Sequence, residues 1–184
     1  MKKFVYILLF FLSFYKISLS ANTKIAQNIT AEDQKFVKVI EIVLKFEGGY
    51  FKEERTNFGI TQGTYNKYRD AHHLKRNNVI NITKNEVYEI YYNMYYIKSR
   101  ASEMPIRMCL VHFDSAVNFG LTGAQNLLSE TDSTLNDSLR ALQYCDKRIE
   151  FRYLIVKYNP SKKKFLKGWI NRDKKLKILV STSH

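Results

Sequence analysis

Glu47 is the residue of this chain best placed for acid chemistry. Phe36, Ile40 and Val43 recur at helical spacing and Glu47 continues the series, so a carboxyl group closes an apolar stripe. Gly48 and Gly49 come immediately after it and predict that the helix stops there, leaving Glu47 on its last turn. Burial disfavours the ionised carboxyl, and the negative end of the helix dipole repels it, so both effects push its pKa upward. A carboxyl group kept protonated near neutral pH is what a general acid requires. A glutamate at a helix end is equally at home as a solvated residue whose stem covers a neighbour. The neighbouring residues favour the chemical reading: Phe51-Lys52-Glu53-Glu54-Arg55 and Thr56-Asn57-Phe58-Gly59-Ile60-Thr61 bring further carboxylates and a hydroxyl within a short loop of Glu47.

Other chemistry-bearing groups are scattered. Asp114 and Asn118 stand at i and i+4 of a helical pattern, where they either hold a polar ligand together or bond each other. His112 and Asp114 point to different faces, which argues against a His/Asp pair. The adjacent His72 and His73 sit in a Lys/Arg-rich loop with no acidic cluster beside them, a solvated pair rather than a metal site. Trp169 is either a core anchor or a sugar-stacking surface, and helical patterning favours the core. The rings of Tyr88, Tyr91, Tyr92, Tyr95 and Tyr96 surround most of one helix, so some must face water, a ligand or a neighbouring helix. No phosphate loop, Cys/His metal set or nucleophile elbow occurs in the sequence.

Four separated stretches carry a family resemblance. Glu47-Gly48-Gly49-Tyr50, Thr56-Asn57-Phe58-Gly59-Ile60-Thr61, Phe113-Asp114-Ser115-Ala116-Val117-Asn118-Phe119-Gly120 and Gly168-Trp169-Ile170-Asn171-Arg172 together resemble glycoside hydrolase family 108, N-acetylmuramidases with a lysozyme-like fold and a peptidoglycan-binding C-terminal half. The resemblance implies that Glu47 is the catalytic general acid and that Thr56 matches the family's threonine before Gly-Ile-Thr. It makes peptidoglycan the substrate, implies no metal or organic cofactor, and places Tyr50, Asp114, Asn118 and Trp169 among substrate-binding residues. In that family the loop after Glu-Gly-Gly-Tyr is longer and carries an Asp followed by Gly-Gly. Here Glu53 and Glu54 are the acids left in it. Period-2 alternation puts Glu54 on the same face as Thr56, so Glu54 and Thr56 are expected to face the scissile bond. Losing the Asp also suits a lytic transglycosylase, or a protein that binds the wall without cutting it.

The elements that must position these groups are mainly helical. Thr30 with Asp33 resembles a cap for the Glu47 helix, Thr61 caps a helix through Tyr68, and Thr83 with Glu86 forms a capping box before the stripe Val87, Ile90, Tyr91, Met94 and Ile97. Pro105 opens a helix ending at Gly120, a shorter one spans Thr122 to Leu128, and two long helices run from Leu135 to Tyr158 and Ser161 to Leu179. Leu139, Leu142, Ile149, Tyr153 and Val156 mark the inner face of the first long helix; Phe165, Trp169 and Leu176 mark that of the second. The expected fold is mainly α and lysozyme-like, with a small β-hairpin near the site. Residues 30–110 are expected to form the catalytic region and residues 111–180 a helical peptidoglycan-binding region, with an active cleft between them.

Residues 1–20 read as a secretory signal: Lys2 and Lys3, the apolar run Phe4 to Tyr15, then Ser18-Leu19-Ser20. Export to the periplasm or beyond is expected. Removing Lys2, Lys3 and Lys16 takes the formal charge from +13 to +10, which draws a protein toward anionic cell-envelope polymers. A groove-reading motif is missing, so no specific nucleic-acid partner is expected, and the chain is expected to be a monomer. Cys109 and Cys145 could form one disulfide after export, although the apolar run around Cys109 suits a buried thiol equally.

Overall fold

The computed structural model describes residues 34–47 and 55–182. Helix α1 (Gln34–Glu47) buries Phe36, Val39, Ile40 and Val43, with Glu47 at the edge of the described residues. The leader, the expected Thr30/Asp33 cap, Tyr50, Glu53 and Glu54 lie outside the described residues.

Strands β1 (Thr56–Asn57) and β2 (Ile60–Thr61) pair antiparallel, Thr56 opposite Thr61 and Asn57 opposite Ile60. Phe58 and Gly59 form the two-residue turn, with φ of 51° and 73°. Paired positive φ values are what a tight hairpin needs to match strand twist, and a residue such as Phe58 is uncommon there. The Asn57 side chain ties the hairpin down by donating to the carbonyls of Val79 and Ile80 at 3.3 Å. Thr61 then caps α2 (Gln62–Ala71) by accepting from the Thr64 amide.

Thr83 and Glu86 make the expected capping box at the start of α3 (Lys84–Tyr91), which buries Val87, Ile90 and Tyr91. From Tyr92 to Tyr96 the backbone continues as a π-helix. That wider turn shifts the inward face by one residue, so Tyr96 is buried and Ile97, expected inside, is exposed. The rings of Tyr88, Tyr92, Tyr96 and Phe113 surround Phe36, so much of the tyrosine run packs against α1.

Pro105 precedes α4 (Ile106–Ser129), whose Gly120 leaves the helical conformation with φ 74° and ψ 170°. The helical conformation is thus interrupted at Gly120, with a helical segment on either side of it, as expected. The boundary expected at residue 110 falls inside the first segment, and a single hydrophobic cluster extends from Phe36 to Val180. Helices α5 (Asp137–Tyr158) and α6 (Lys163–Thr182) come next, joined by a short turn at Pro160–Lys162. Their inner faces differ from the apolar stripes expected. In α5 the buried residues are Ala141, Tyr144, Cys145, Arg148 and Arg152, while Leu139 and Tyr153 are exposed. In α6 they are Ile170, Asp173, Leu176 and Val180, while Phe165 is exposed. The physical reason is electrostatic: Arg148 and Arg152 face Asp173, and satisfying those charges fixes the rotation of both helices. Cys109 and Cys145 are free and buried. The chain thus adopts the mainly helical, lysozyme-like architecture with a small hairpin.

Candidate active site

Glu47 of α1 has its side chain only 17% exposed. Arg172 of α6 donates from Nη2 to Glu47 Oε1 at 2.6 Å and to Asp114 Oδ1 at 2.6 Å. The network continues inward. Arg148 Nη2 donates to Asp114 Oδ2 and to Asp173 Oδ1, both at 2.6 Å, and Arg152 Nε donates to Asp173 Oδ2 at 3.1 Å. Arg148 also donates from Nε to Asp173 Oδ1 at 3.0 Å and from Nη1 to Ser115 Oγ and the Val111 carbonyl. Carboxylates Glu47, Asp114 and Asp173 therefore alternate with guanidinium groups Arg172, Arg148 and Arg152, contributed by α1, α4, α5 and α6. Each buried ion would cost several kcal/mol alone, and the alternation supplies every charge with a partner. Aromatic faces line the guanidinium groups: Arg172 lies 5.0 Å from the Phe46 ring centroid and Arg152 4.1 Å from that of Phe119.

The titration directions are set by this packing. Burial pushes the Glu47 carboxyl above the ordinary glutamate range; Arg172 opposes the rise and Asp114 adds to it. Burial works against the charge of Asp114 too, but Arg148 and Arg172 together hold its carboxyl below the usual aspartate range. Burial likewise works against the Arg172 charge, which Asp114 first and Glu47 second keep above its ordinary value. Arg172 pulls the Glu47 carboxyl down, but burial outweighs it and the net direction is upward. Burial, with the negative charge of Glu47 beside it, also raises Tyr91 well above its ordinary value, so its hydroxyl stays protonated and donates to the Phe58 carbonyl at 2.7 Å.

The hairpin turn meets this carboxyl directly. A Cβ placed on Gly59 would stand 2.6 Å from Glu47 Oε2 and 2.9 Å from the Tyr91 hydroxyl. Only glycine leaves room for Glu47 there, and its positive φ favours glycine independently.

Of the residues expected to form the site, Thr56 opens β1 and is buried. Tyr50 and Glu54 fall outside the described residues, as does most of the loop that would border a cleft. Asp114 requires a correction. Expected to bind substrate, it is instead fully buried with its two oxygens occupied by Arg172 and Arg148, so it acts on Glu47 through Arg172. Asn118 is absorbed in the same network, donating to the Asp114 carbonyl and accepting from Arg152. Trp169 is half-buried, with the Arg152 guanidinium 5.1 Å from its ring and Phe165 stacked at 5.8 Å. His112 is a buried structural residue whose ring nitrogens lie 3.0 Å from Tyr144 Oη and the Ser99 carbonyl. Among the described residues no group of His, Cys, Asp and Glu is arranged to hold a metal ion.

Sequence reasoning missed Arg148, Arg152, Arg172 and Asp173. A signal was present: Ala141, Tyr144, Cys145, Arg148 and Arg152 recur at three- and four-residue spacing, as do Trp169, Arg172, Asp173 and Leu176. Charged residues that hold the period of an inner stripe mark a buried network.

The structure of Brucella abortus SagA is similar to this one, with a TM-score of 0.64 and 22% identity over 80% of this chain and 96% of that one, a likeness of fold. No curated protein matches the chain. Residues 40–120 match the family model described as Glycosyl hydrolase 108. This segment holds Glu47, Gly59, Tyr91 and Asp114, whereas the arginines that charge the site come from helices beyond it. Residues 40–120 are therefore similar to the glycosyl hydrolase 108 family, a match that supports a peptidoglycan-degrading glycosidase.

Proposed function

We propose that the protein is an N-acetylmuramidase that hydrolyses the β-1,4 bond between N-acetylmuramic acid and N-acetylglucosamine, with Glu47 as general acid. The observation that carries this reading is the Glu47 carboxyl, secluded from solvent with its pKa raised by burial and one oxygen held by Arg172. Because Arg172 binds Oε1, Oε2 beside Gly59, an oxygen with no hydrogen bond among the described residues, is the one assigned the proton. Glu47 protonates the glycosidic oxygen as the sugar develops oxocarbenium character, and a second group stabilises that charge or positions water. Lysozyme is the worked precedent for a glutamate raised in this way. Glu54 and Thr56 are proposed for the second role, with Tyr50 and Trp169 as contacts for sugar rings. The basic mature surface and the leader-like first 20 residues support an exported enzyme acting on the envelope.

A lytic transglycosylase is the second reading. It is favoured by the fate of Asp114, a carboxylate near Glu47 whose two oxygens are both taken by arginines. Digestion of purified sacculi decides between them: a muramidase releases reducing ends, a transglycosylase releases 1,6-anhydromuramic ends lighter by one water. Glu47→Gln should abolish clearing in either case while wall binding remains, and retained clearing would reject Glu47 as the acid.

A further inference from the structure

We propose that the exposed end of the α5–α6 hairpin docks the protein on an anionic lipid headgroup surface. Residues 153–167 contain five lysines, Lys157, Lys162, Lys163, Lys164 and Lys167, and no acidic residue. Among the described residues none of these lysines enters an ion pair, whereas Lys147 and Lys177, farther along the same two helices, pair with Glu150 and Asp146. The positive charge of this end is therefore uncompensated.

Large apolar side chains stand among the lysines without cover. Tyr158 is 79% exposed, Tyr153 55%, Leu154 45% and Phe165 44%. Lys157 lies 5.7 Å from the Tyr158 ring centroid, and Lys162 and Lys164 lie 5.7 Å and 5.0 Å from that of Phe165, so rings and ammonium groups form one mixed surface. Lysine beside tyrosine and other aromatics suits a bilayer interface, where rings enter the headgroup layer and ammonium groups meet phosphate. An acidic wall polymer would engage the lysines but gives no reason to expose Leu154. No described helix is long and apolar enough to cross a membrane, so the contact is with the surface.

The full chain carries a single tryptophan, Trp169, stacked on Phe165 at 5.8 Å. Its emission reports on this end of the hairpin and not on the apolar N-terminal segment, which has no tryptophan. Titration with vesicles of phosphatidylglycerol and phosphatidylcholine should shift Trp169 emission to shorter wavelength, and brominated acyl chains should quench it. Phosphatidylcholine alone should do neither, and added salt should weaken the effect. Lys163→Gln with Lys164→Gln should reduce affinity roughly 25-fold, about five-fold for each lysine near the surface. Tyr158→Ser with Phe165→Ser, at unchanged charge, should reduce it at least about 10-fold, since two exposed rings lose their apolar contact. Equal response to neutral vesicles would overturn the proposal, as would full affinity in either double variant. If the lysine variant loses binding, the aromatic variant keeps it and soluble polyglycerol phosphate competes, the partner is an acidic polymer and the lipid assignment falls.

Discussion

Arg172 reaches across 125 residues of sequence to hold Glu47 at 2.6 Å. The guanidinium favours the ionised carboxyl, so its removal must raise the Glu47 pKa further. In Arg172→Gln the alkaline limb of the pH–activity profile on sacculi should move to higher pH. Activity at the optimum should fall about 10²-fold, because the carboxyl loses the group that fixes its direction. An unmoved limb would show that Glu47 is not the group titrating in that profile.

Wild-type activity should decline as pH rises through the raised pKa of Glu47, because only the protonated form can donate. Stability runs the same way. A carboxyl whose folded pKa exceeds its unfolded value contributes stability that is fully present below the unfolded pKa and is lost as pH rises through the folded one. Glu47→Gln removes the ionisation, so the variant should melt no lower than wild type at neutral pH while activity falls about 10²–10⁴-fold. Paired melting and turnover measurements check both halves.

Gly59→Ala tests the turn against the carboxyl. The added methyl must move Glu47 Oε2 or the Tyr91 hydroxyl, and it meets a positive φ as well. Stability should fall by about 1–2 kcal/mol from the left-handed backbone. Activity should fall far more, about 10²-fold for a displacement near 1 Å. A loss of activity no larger than the fraction unfolded would separate Gly59 from the site.

Arg148→Met should be the most damaging of these changes. It leaves Asp114 and Asp173 buried with one partner fewer each, and such a break costs about 3–5 kcal/mol in denaturant unfolding. Because the folded pKa of Asp114 is depressed, its contribution in the wild type is present above the unfolded aspartate value and lost as pH falls through the folded one. The stability gap between wild type and Arg148→Met should therefore narrow in strong acid.

The sequence made α1, the hairpin and the Thr83 capping box legible because each rests on local spacing: Phe36 to Glu47, two strands around Phe58-Gly59, and Thr83 with Glu86. The break at Gly120 was legible as a glycine closing an apolar helical run, whereas the exposure of Ile97 was not, since the π-turn at Tyr92–Tyr96 leaves no mark in hydrophobic periodicity. Glu47 was identifiable from its place on the stripe, yet Arg172, which touches it, was not. Charged residues belong outside by default, and only pairing across helices reverses that for Arg148, Arg152 and Asp173. Asp114 and Asn118 were singled out for the right face and the wrong partner, because their neighbours come from helices that spacing within α4 cannot reveal.

The arginines that complete the site also set an order of events during synthesis. Glu47, Gly59, Tyr91 and Asp114 leave the ribosome early, but Arg148 and Arg152 emerge later with α5, and Arg172 and Asp173 only with α6. Until α6 docks, Asp114 lacks one cation, Asp173 is missing from between the two α5 arginines, and Glu47 has no group to orient it. A nascent chain cut short before α6 carries Glu47 without the charges that surround it, so this cluster is closed by the last helix.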